Sequence, residues 1–418
     1  MKRLRRLGVR ALRAANRRRA RGAAEPGTRQ ITFLLLHAHG MGGTIRTVFN
    51  LAGMLAADHD VEIVSVIKTN EDPFFEVPPG VRVTFLDDRV GRRDLPAWLA
   101  RLGASRLIPR EEAAYATFTL RTDLKILRFL RGLRGGVLIT TRPGFNLAAA
   151  LLTPPGVITI GQEHVGFASH QPDLQKLIVR RYGRLDALVT LTEADLKAYR
   201  KALRGRRRPH HLSRIPNAAV PFAGGPSPLT GKTVLAAGRL TKVKGFDLLI
   251  KAWEQVAAAH PGWTLRIVGA GPQLERLQAA IEERGLTGSV QLPGPSSDMG
   301  AEFDAASVLV LSSRHEGFPM TILEALGKGV PVVSFDCPHG PREILTDGHD
   351  GFLIRRRDID GLAAAIGRLI EDEPLRRQMG TRALHTSRRY TPATIHAEWN
   401  ALLAELSAAA STPTAPAP

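Results

Sequence analysis

The chain has 418 residues, a formal net charge of +19 and 44% hydrophobic residues, so it is long enough for two or three domains with ample cores. A single cysteine, Cys337, excludes an intramolecular disulfide framework and fits a reducing compartment. There is no run of about 18 apolar residues, and the basic N-terminus lacks an apolar h-region, so neither a membrane span nor a secretory signal is expected.

Residues 1–30 read as a basic arm. The first 22 positions hold ten Lys and Arg and no acid, which leaves +9 for the rest of the chain. Leu4, Leu7, Ala11 and Leu12 share one helical face, so the arm can lie on an anionic membrane surface. A disordered arm is the plainer alternative for a run of like charge. No aromatic-interleaved basic patch or DNA-binding motif occurs, so nucleic acid is not an expected partner. The expected location is cytoplasmic, with the inner membrane face as a peripheral site.

Residues 31–217 read as one α/β half. Strands are expected at Ile31–Leu36, Val61–Ile67, Val81–Leu86, Val137–Thr141, Val157–Gly161 and Ala187–Leu191, and helices notably over Glu111–Leu133 and Glu193–Leu203. Residues 218–231, rich in Gly and Pro, read as a linker. A second half, 232–390, has strand patterns at Thr233–Ala237, Thr264–Val268, Val290–Leu292, Val308–Leu311, Pro331–Phe335 and Gly351–Ile354. Its helices are expected at Gly245–Ala259, Gln273–Arg284, Thr321–Gly327 and Ile359–Ile370. A last amphipathic helix spans 391–409, and 410–418 is a low-complexity tail expected to be disordered. Alternating strands and helices give a parallel, doubly wound sheet in each half, with ligands at the carboxyl ends of the strands.

Several motifs fall at those ends. Gly40-Met-Gly-Gly-Thr44 follows the first strand, and its glycines, Gly42 and Gly43 among them, let backbone approach a ligand. The spacing is not GxGxxG, so a dinucleotide fingerprint is absent. Gly238 permits a tight turn after the strand ending near Ala237. Arg239 and Lys244 follow, suited to hold a diphosphate and neutralise its charge as it leaves. Ser307–Ser312 (SVLVLS) runs into Ser313-Arg-His-Glu-Gly-Phe-Pro-Met-Thr-Ile-Leu-Glu324. That stretch puts Glu316 at the mouth of a helix and Glu324 inside it, with Pro319 suited to the first helical position. A helix N-terminus seats a phosphate, and carboxylates beside it accept from a vicinal diol. A sugar linked to a nucleotide diphosphate combines those features. Backbone N–H groups around Gly317, Phe318, Met320 and Thr321 would face such a ligand; Pro319 has none. His37 and His39 lack a third ligand of suitable spacing, so no metal is expected. Asp358-Ile-Asp360 mimics a metal-binding Asp-x-Asp but reads more simply as a helix N-cap. Cys337 reads as structural.

The two glutamates, with seven residues between them inside HEGFPMTILEALGKGVPVV, resemble the retaining glycosyltransferases of family 4, also called group 1 glycosyltransferases. Gly238-Arg-Leu-Thr-Lys-Val-Lys-Gly245, Val268-Gly-Ala-Gly-Pro272, Cys337-Pro-His-Gly-Pro-Arg-Glu343 and Asp347-Gly-His-Asp-Gly351 look like that family's further segments, in its order, and the likeness covers roughly residues 31 to 405. The resemblance implies the GT-B fold, two Rossmann-like domains facing a central cleft, with a closing helix that returns to the first. It implies a catalytic set of Glu316, Arg239, Lys244 and His164. Arg239 and Lys244 would bind the donor pyrophosphate. Glu316 would contact the transferred sugar near its reactive carbon. Glu324 would accept from the ribose hydroxyls. Gly42 and Gly43 would lie near the donor's phosphate and sugar. His164, in Gln162-Glu-His-Val165, would touch the donor sugar, with a structural histidine as the alternative; Glu163 would orient it or face the acceptor. Backbone near Leu292-Pro-Gly294 would read the base. The implied reaction moves a sugar with retention from a nucleotide-diphosphate sugar, by preference a UDP-sugar, to a cell-envelope, lipid-linked or polyol-phosphate acceptor. No cofactor or metal is implied. A nucleotide-sugar epimerase of the same architecture, or a non-enzymatic basic binding protein, are the alternatives.

Overall fold

The computed structural model describes residues 29–90 and 103–411; the expectations for residues 1–28 and 412–418, the arm and the tail, lie outside the described residues. The chain divides into two compact units, Met1–Pro216 with Ile395–Pro418, and Asn217–Thr394.

The first unit runs β1 (Gln30–His37), α1 (Gly43–Leu55), β2 (Asp60–Lys68), β3 (Val81–Asp88), α2 (Leu120–Gly132), β4 (Val137–Thr140), α3 (Pro143–Leu152), β5 (Ile158–Glu163), α4 (Pro172–Arg181), β6 (Ala187–Thr190), α5 (Glu193–Ala202) and β7 (His211–Arg214). Its strands form one parallel sheet in the order β3-β2-β1-β4-β5-β6-β7. A parallel sheet is covered on both faces, so its strands read as unbroken apolar runs. Accordingly β1 (QITFLLLH) is buried from Ile31 to Leu36. Phe145, Tyr182, Tyr199 and Ile126 fill the core beside it.

The long helix expected over Glu111–Leu133 is shorter. Residues 111–119 are turns and a single 3-10 turn at Tyr115–Thr117, and α2 starts at Leu120. Thr119 caps it: its hydroxyl accepts from Thr122 N, while Thr122 Oγ1 accepts from Thr119 N at 2.8 Å. Buried Asp123 in the first turn accepts from Arg106 N, Leu107 N and the Ser105 hydroxyl. Those bonds tie down residues 105–107, and the 111–119 stretch itself is held by turn bonds, Glu112 N to Pro109 O, Tyr115 N to Glu112 O and Thr117 N to Ala114 O, which the helical spacing of its apolar residues did not reveal. β7 is an edge strand of four residues, HLSR, too short and polar to stand out.

The last helix, α13 (Pro392–Ser411), joins this unit from Ile395 on. Ile395, Trp399, Leu402, Leu403 and Leu406 form its buried stripe, and His396 and Asn400 both meet Asp58 at 3.0 Å.

The second unit runs β8 (Thr233–Ala237), α6 (Phe246–Ala259), β9 (Thr264–Val268), α7 (Leu274–Glu283), β10 (Val290–Gly294), α8 (Met299–Ala305), β11 (Val308–Leu311), α9 (Met320–Gly327), β12 (Val332–Phe335), α10 (Pro341–Ile344), β13 (Gly351–Ile354), α11 (Ile359–Glu371) and α12 (Glu373–Ser387). Its parallel sheet has the order β10-β9-β8-β11-β12-β13. Counted within the unit this is 3-2-1-4-5-6, the doubly wound arrangement of a Rossmann fold. Trp253, Leu249, Ile267, Phe335 and Ile366 centre its core.

The Gly- and Pro-rich stretch after Asn217 lies against this second unit. Ser227 Oγ donates to Ala306 O at 2.9 Å, and buried Lys328 donates to Ala223 O at 2.9 Å while pairing with Asp304 at 2.6 Å. Pro319, expected as the first helical residue, is instead the N-cap of α9, with φ −75° and an extended ψ of 98°. Its carbonyl already accepts from Ile322 N at 3.1 Å, as an N-cap carbonyl does. Asp358 caps α11, its side chain accepting from Gly361 N at 2.9 Å.

Candidate functional site

In a doubly wound sheet the crevice opens where the strand order reverses. In the second unit that point lies between β8 and β11, and both basic and acidic motifs emerge there. After β8 the chain turns at Gly238, forms a 3-10 turn at Lys242–Lys244, and enters α6 through Gly245, which is left-handed at φ 69°. A Cβ on Gly245 would lie 2.0 Å from Ser312 O, so only glycine lets the turn sit this close to the end of β11.

That closeness is stitched by hydrogen bonds. Arg314 N donates to Val243 O at 2.7 Å, Ser312 Oγ to Lys244 O at 3.0 Å, and Arg314 Nη1 to Lys242 O at 2.6 Å. Arg314 also grips Asp247 bidentately, at 2.8 and 2.6 Å. Burial opposes the Asp247 charge, but the hydrogen bonds and charge of Arg314 outweigh it and hold the carboxyl below its usual range. This clamp was not among the expected site residues; its only sequence signal is an acid in the first turn of a helix.

The frame delivers Lys244 to Glu316. The ammonium lies 2.7 Å from Glu316 Oε1, and Ser313 Oγ donates to the same oxygen at 2.6 Å. Glu316 is largely enclosed, with 9% of its side chain exposed. Arg239, from the same turn, is exposed and makes no ion pair among the described residues. A cation and a caged carboxylate thus share one rim.

The rest of the motif forms the wall. Gly317 leads to Phe318, whose ring packs 6.0 Å from that of Tyr390. The Cβ of a residue replacing Gly340 would strike the Pro319 ring at 2.3 Å, so the 337–343 loop lies directly on the entry to α9. Met320 and Thr321 occupy the first helical turn, and Glu324 is buried one turn on. Burial and then the Glu316 charge push the Cys337 thiol up to about 12, so it stays protonated. Gly294, at the end of β10, accepts from Gly269 N at 2.9 Å, which joins the expected base-reading strand end to the turn after β9.

The switch point of the first unit lies between β1 and β4. Gly42 is the N-cap of α1, its carbonyl accepting from Ile45 N and Arg46 N at 3.1 Å, and Gly43 opens the helix. The two histidines before them part ways. His39 Nδ1 donates to Asn70 O at 3.0 Å. The pKa of His37 is depressed by burial and by the charges of Arg142 and Arg89. Among the described residues no group of three or more His, Cys, Asp or Glu is placed to hold a metal ion.

His164 follows β5. The residue is half-buried, and desolvation of its ring pushes its pKa down to about 4, so it is neutral at ordinary pH; its buried Nε2 has no hydrogen-bond partner among the described residues. Glu163 neither orients His164 nor faces outward, contrary to both expectations. Consecutive strand residues point to opposite faces, and Glu163 points inward. Its Oε1 accepts from Tyr182 OH at 2.5 Å and Asn146 Nδ2 at 2.8 Å, and Oε2 lies 3.4 Å from His170 Nε2. These partners come from α3, the loop before α4 and the 3-10 turn after it, which linear spacing could not connect.

Residues 222–386 match the family model described as Glycosyl transferases group 1. Over 390 residues the chain is 41% identical to an exopolysaccharide phosphotransferase of Streptomyces coelicolor; the match covers 90% of this chain, and the chain spans 41% of that relative's length. It is 27% identical to the amylovoran biosynthesis glycosyltransferase AmsD of Erwinia amylovora, over 87% of this chain and 96% of that protein. Its fold is similar to that of an S. aureus TarM mutant crystallised with Fondaparinux, alpha-GlcNAc-glycerol and UDP, at a TM-score of 0.72 and 16% identity, covering 90% of this chain and all of that one. Two Rossmann-like parallel-sheet units are the GT-B architecture that such neighbours share. The match to the group 1 glycosyltransferases thus lies within the second unit, and the chain as a whole is similar in fold to GT-B proteins.

Proposed function

We propose that the chain is a metal-independent hexosyltransferase of the family 4 type, which moves a sugar from UDP to a cell-envelope polysaccharide, lipid-linked or polymer acceptor with retention at the anomeric carbon. The observation that carries this reading is the 2.7 Å Lys244–Glu316 pair at the switch point of the second unit. Breaking the bond between the anomeric carbon and the diphosphate leaves negative charge on the departing UDP. Lys244 and exposed Arg239 are the cations to take it up, helped by the free N–H groups where α9 begins. The Lys244 ammonium holds Glu316 in place, and the carboxylate then faces the sugar as its anomeric carbon becomes positive. Glu324 takes the ribose hydroxyls. Neutral His164 is suited to a sugar hydroxyl rather than a phosphate. Gly42, Gly43 and Gly294 allow close backbone approach. Residues 1–22 are proposed to rest on an anionic membrane surface.

Relatives named for exopolysaccharide and amylovoran chemistry support an envelope glycan as acceptor, and UDP in a fold neighbour supports the donor. The Streptomyces relative's name favours a second reading, transfer of a phosphate-bearing group. The products separate the two. Glycosyl transfer cleaves the carbon–oxygen bond and releases UDP; transfer of a sugar phosphate cleaves the diphosphate and releases UMP. Incubating the full chain with a panel of UDP-sugars and envelope extract, and separating the nucleotides, tests the reading. UDP release that depends on Glu316 and Lys244 supports it. UMP, or no nucleotide from any donor, overturns it.

A further inference from the structure

The strongest concentration of charge in the described structure lies away from the motifs above. Between residues 197 and 210 the chain carries seven Lys and Arg and no acid. Lys197, Arg200, Lys201 and Arg204 are spaced i, i+3, i+4 and i+7, which places them on one face of α5 and its closing turn. Arg208, Pro209, His210 and Leu212, on the chain returning into β7, face them. Together these residues line a groove of about 600 Å³.

Its cations are not neutralised from within. Among the described residues Lys197, Lys201 and Arg204 make no ion pair. Arg200 reaches Glu193 only at 3.9 Å, and Arg208 Nε donates to Leu203 O at 3.4 Å. Nearby, Gly183 packs so tightly on Arg207 that a Cβ there would lie 1.9 Å from its carbonyl. Arg184 follows directly, its buried Nη1 without a hydrogen-bond partner among the described residues. Burial and then the Arg207 charge depress the Arg184 pKa. Several like charges held this close repel one another, and a multivalent anion relieves that repulsion.

The place of the groove matters as much as its charge. All strands of the first unit are parallel. α5 leaves the carboxyl end of β6 and runs back, so the turn at 203–210 lies at the amino end of β7. The loops bearing Gly42 and His164 lie at the opposite, carboxyl end of the same sheet. The groove is therefore a separate site on this unit.

We propose that the α5–β7 groove is a binding site for a linear polyanion, a polymer whose phosphodiester groups recur along the chain. Cations on two facing walls suit a strand that lies between them, with the Arg forks pairing bidentately with successive oxyanions. The Pro209 and Leu212 side chains give the carbon backbone of such a polymer an apolar floor.

The test uses the full chain and poly(glycerol phosphate) as probe. The K197Q/K201Q/R204Q variant should bind it at least tenfold more weakly, with the salt dependence of log K shallower by about two. A control that removes three exposed cations elsewhere, K251Q/R355Q/R356Q, should bind as the parent does, and K197R/K201R should retain affinity. Equal losses in groove variant and control, or no loss in either, overturn the proposal. So does competition by inorganic phosphate at the same phosphate concentration as the polymer, which would mean single-anion binding. Loss of binding to phosphatidylglycerol vesicles with polymer binding kept would assign the groove to membrane and overturn it too. UDP release is followed in the same samples. Its absence from every sample removes the transferase reading and leaves the groove result standing.

Discussion

Lys244 and Glu316 lie 72 positions apart in sequence and 2.7 Å apart in space, each carried to the rim by a different strand of one sheet. The contact depends on a left-handed glycine, a hydroxyl donor and an arginine clamp, so its chemistry and its scaffold can be tested separately.

Glu316→Gln keeps size and shape but removes the charge that faces the sugar and pairs with Lys244. UDP release should fall by about two to three orders of magnitude, with the thermal midpoint nearly unchanged. Lys244→Ala should cost about as much. Turnover within threefold of the parent for either variant would remove that residue from its role.

Gly245→Ala should act through the scaffold. It forces a Cβ into Ser312 O at 2.0 Å on a backbone at φ 69°, and a strained position of this kind costs about 1–3 kcal/mol before the clash is counted. Gly285→Ala is the matched control, with φ 65° and nothing within 4 Å of the added atom. Chemical denaturation should find the first variant clearly less stable than the second. Equal losses would mean that the β8 and β11 turns are not in contact.

Glu163 is buried with Tyr182, Asn146 and His170 around it. Removing one partner from such a set strands the others, at about 3–5 kcal/mol. Glu163→Ala should lose that much in urea unfolding, and Glu163→Gln less, because its oxygen still accepts from Tyr182 and Asn146. The His170 pKa is raised by the Glu163 hydrogen bond and charge against the opposing effect of burial. It should fall in Glu163→Gln, as followed by NMR titration. An unmoved His170 would break the link.

His164 sets a pH window. Its folded pKa of about 4 lies below the ordinary 6.5, so from pH 6.5 downward the unfolded chain takes up a proton that the folded chain refuses. Stability is therefore complete above 6.5 and declines toward pH 4. His37 acts in the same direction, and His170, raised, in the opposite one. His164→Gln should lose less stability than the parent between pH 7 and 4.5, by about 1–2 kcal/mol after allowing for the ring's partial exposure. Identical pH profiles would show the ring open to solvent.

Much of this protein was readable along the chain. Apolar runs such as TFLLL and SVLVLS marked buried parallel strands, because a strand covered on both faces has no polar side to show. Glycines at strand ends marked turns where chain meets chain. The two glutamates flanking the start of α9 were visible because residues near one helix end are also near in sequence.

Other features existed only after folding. Ser313 and Lys244 converge on Glu316 because β8 and β11 are neighbours, and neighbouring strands here are separated by some seventy residues. Glu163 turned out to be a core residue because its partners come from three other segments. The 111–119 stretch kept its helical spacing and still became a loop, closed by short turn bonds such as Tyr115 N to Glu112 O and tied to α3 through the Glu112 carboxylate, which accepts from Gly144 N. Local pattern fixes which residues can form an element. Which of them meet is decided by the order of strands in the sheet, and hydrogen bonds across that order carry no signature in the linear chain.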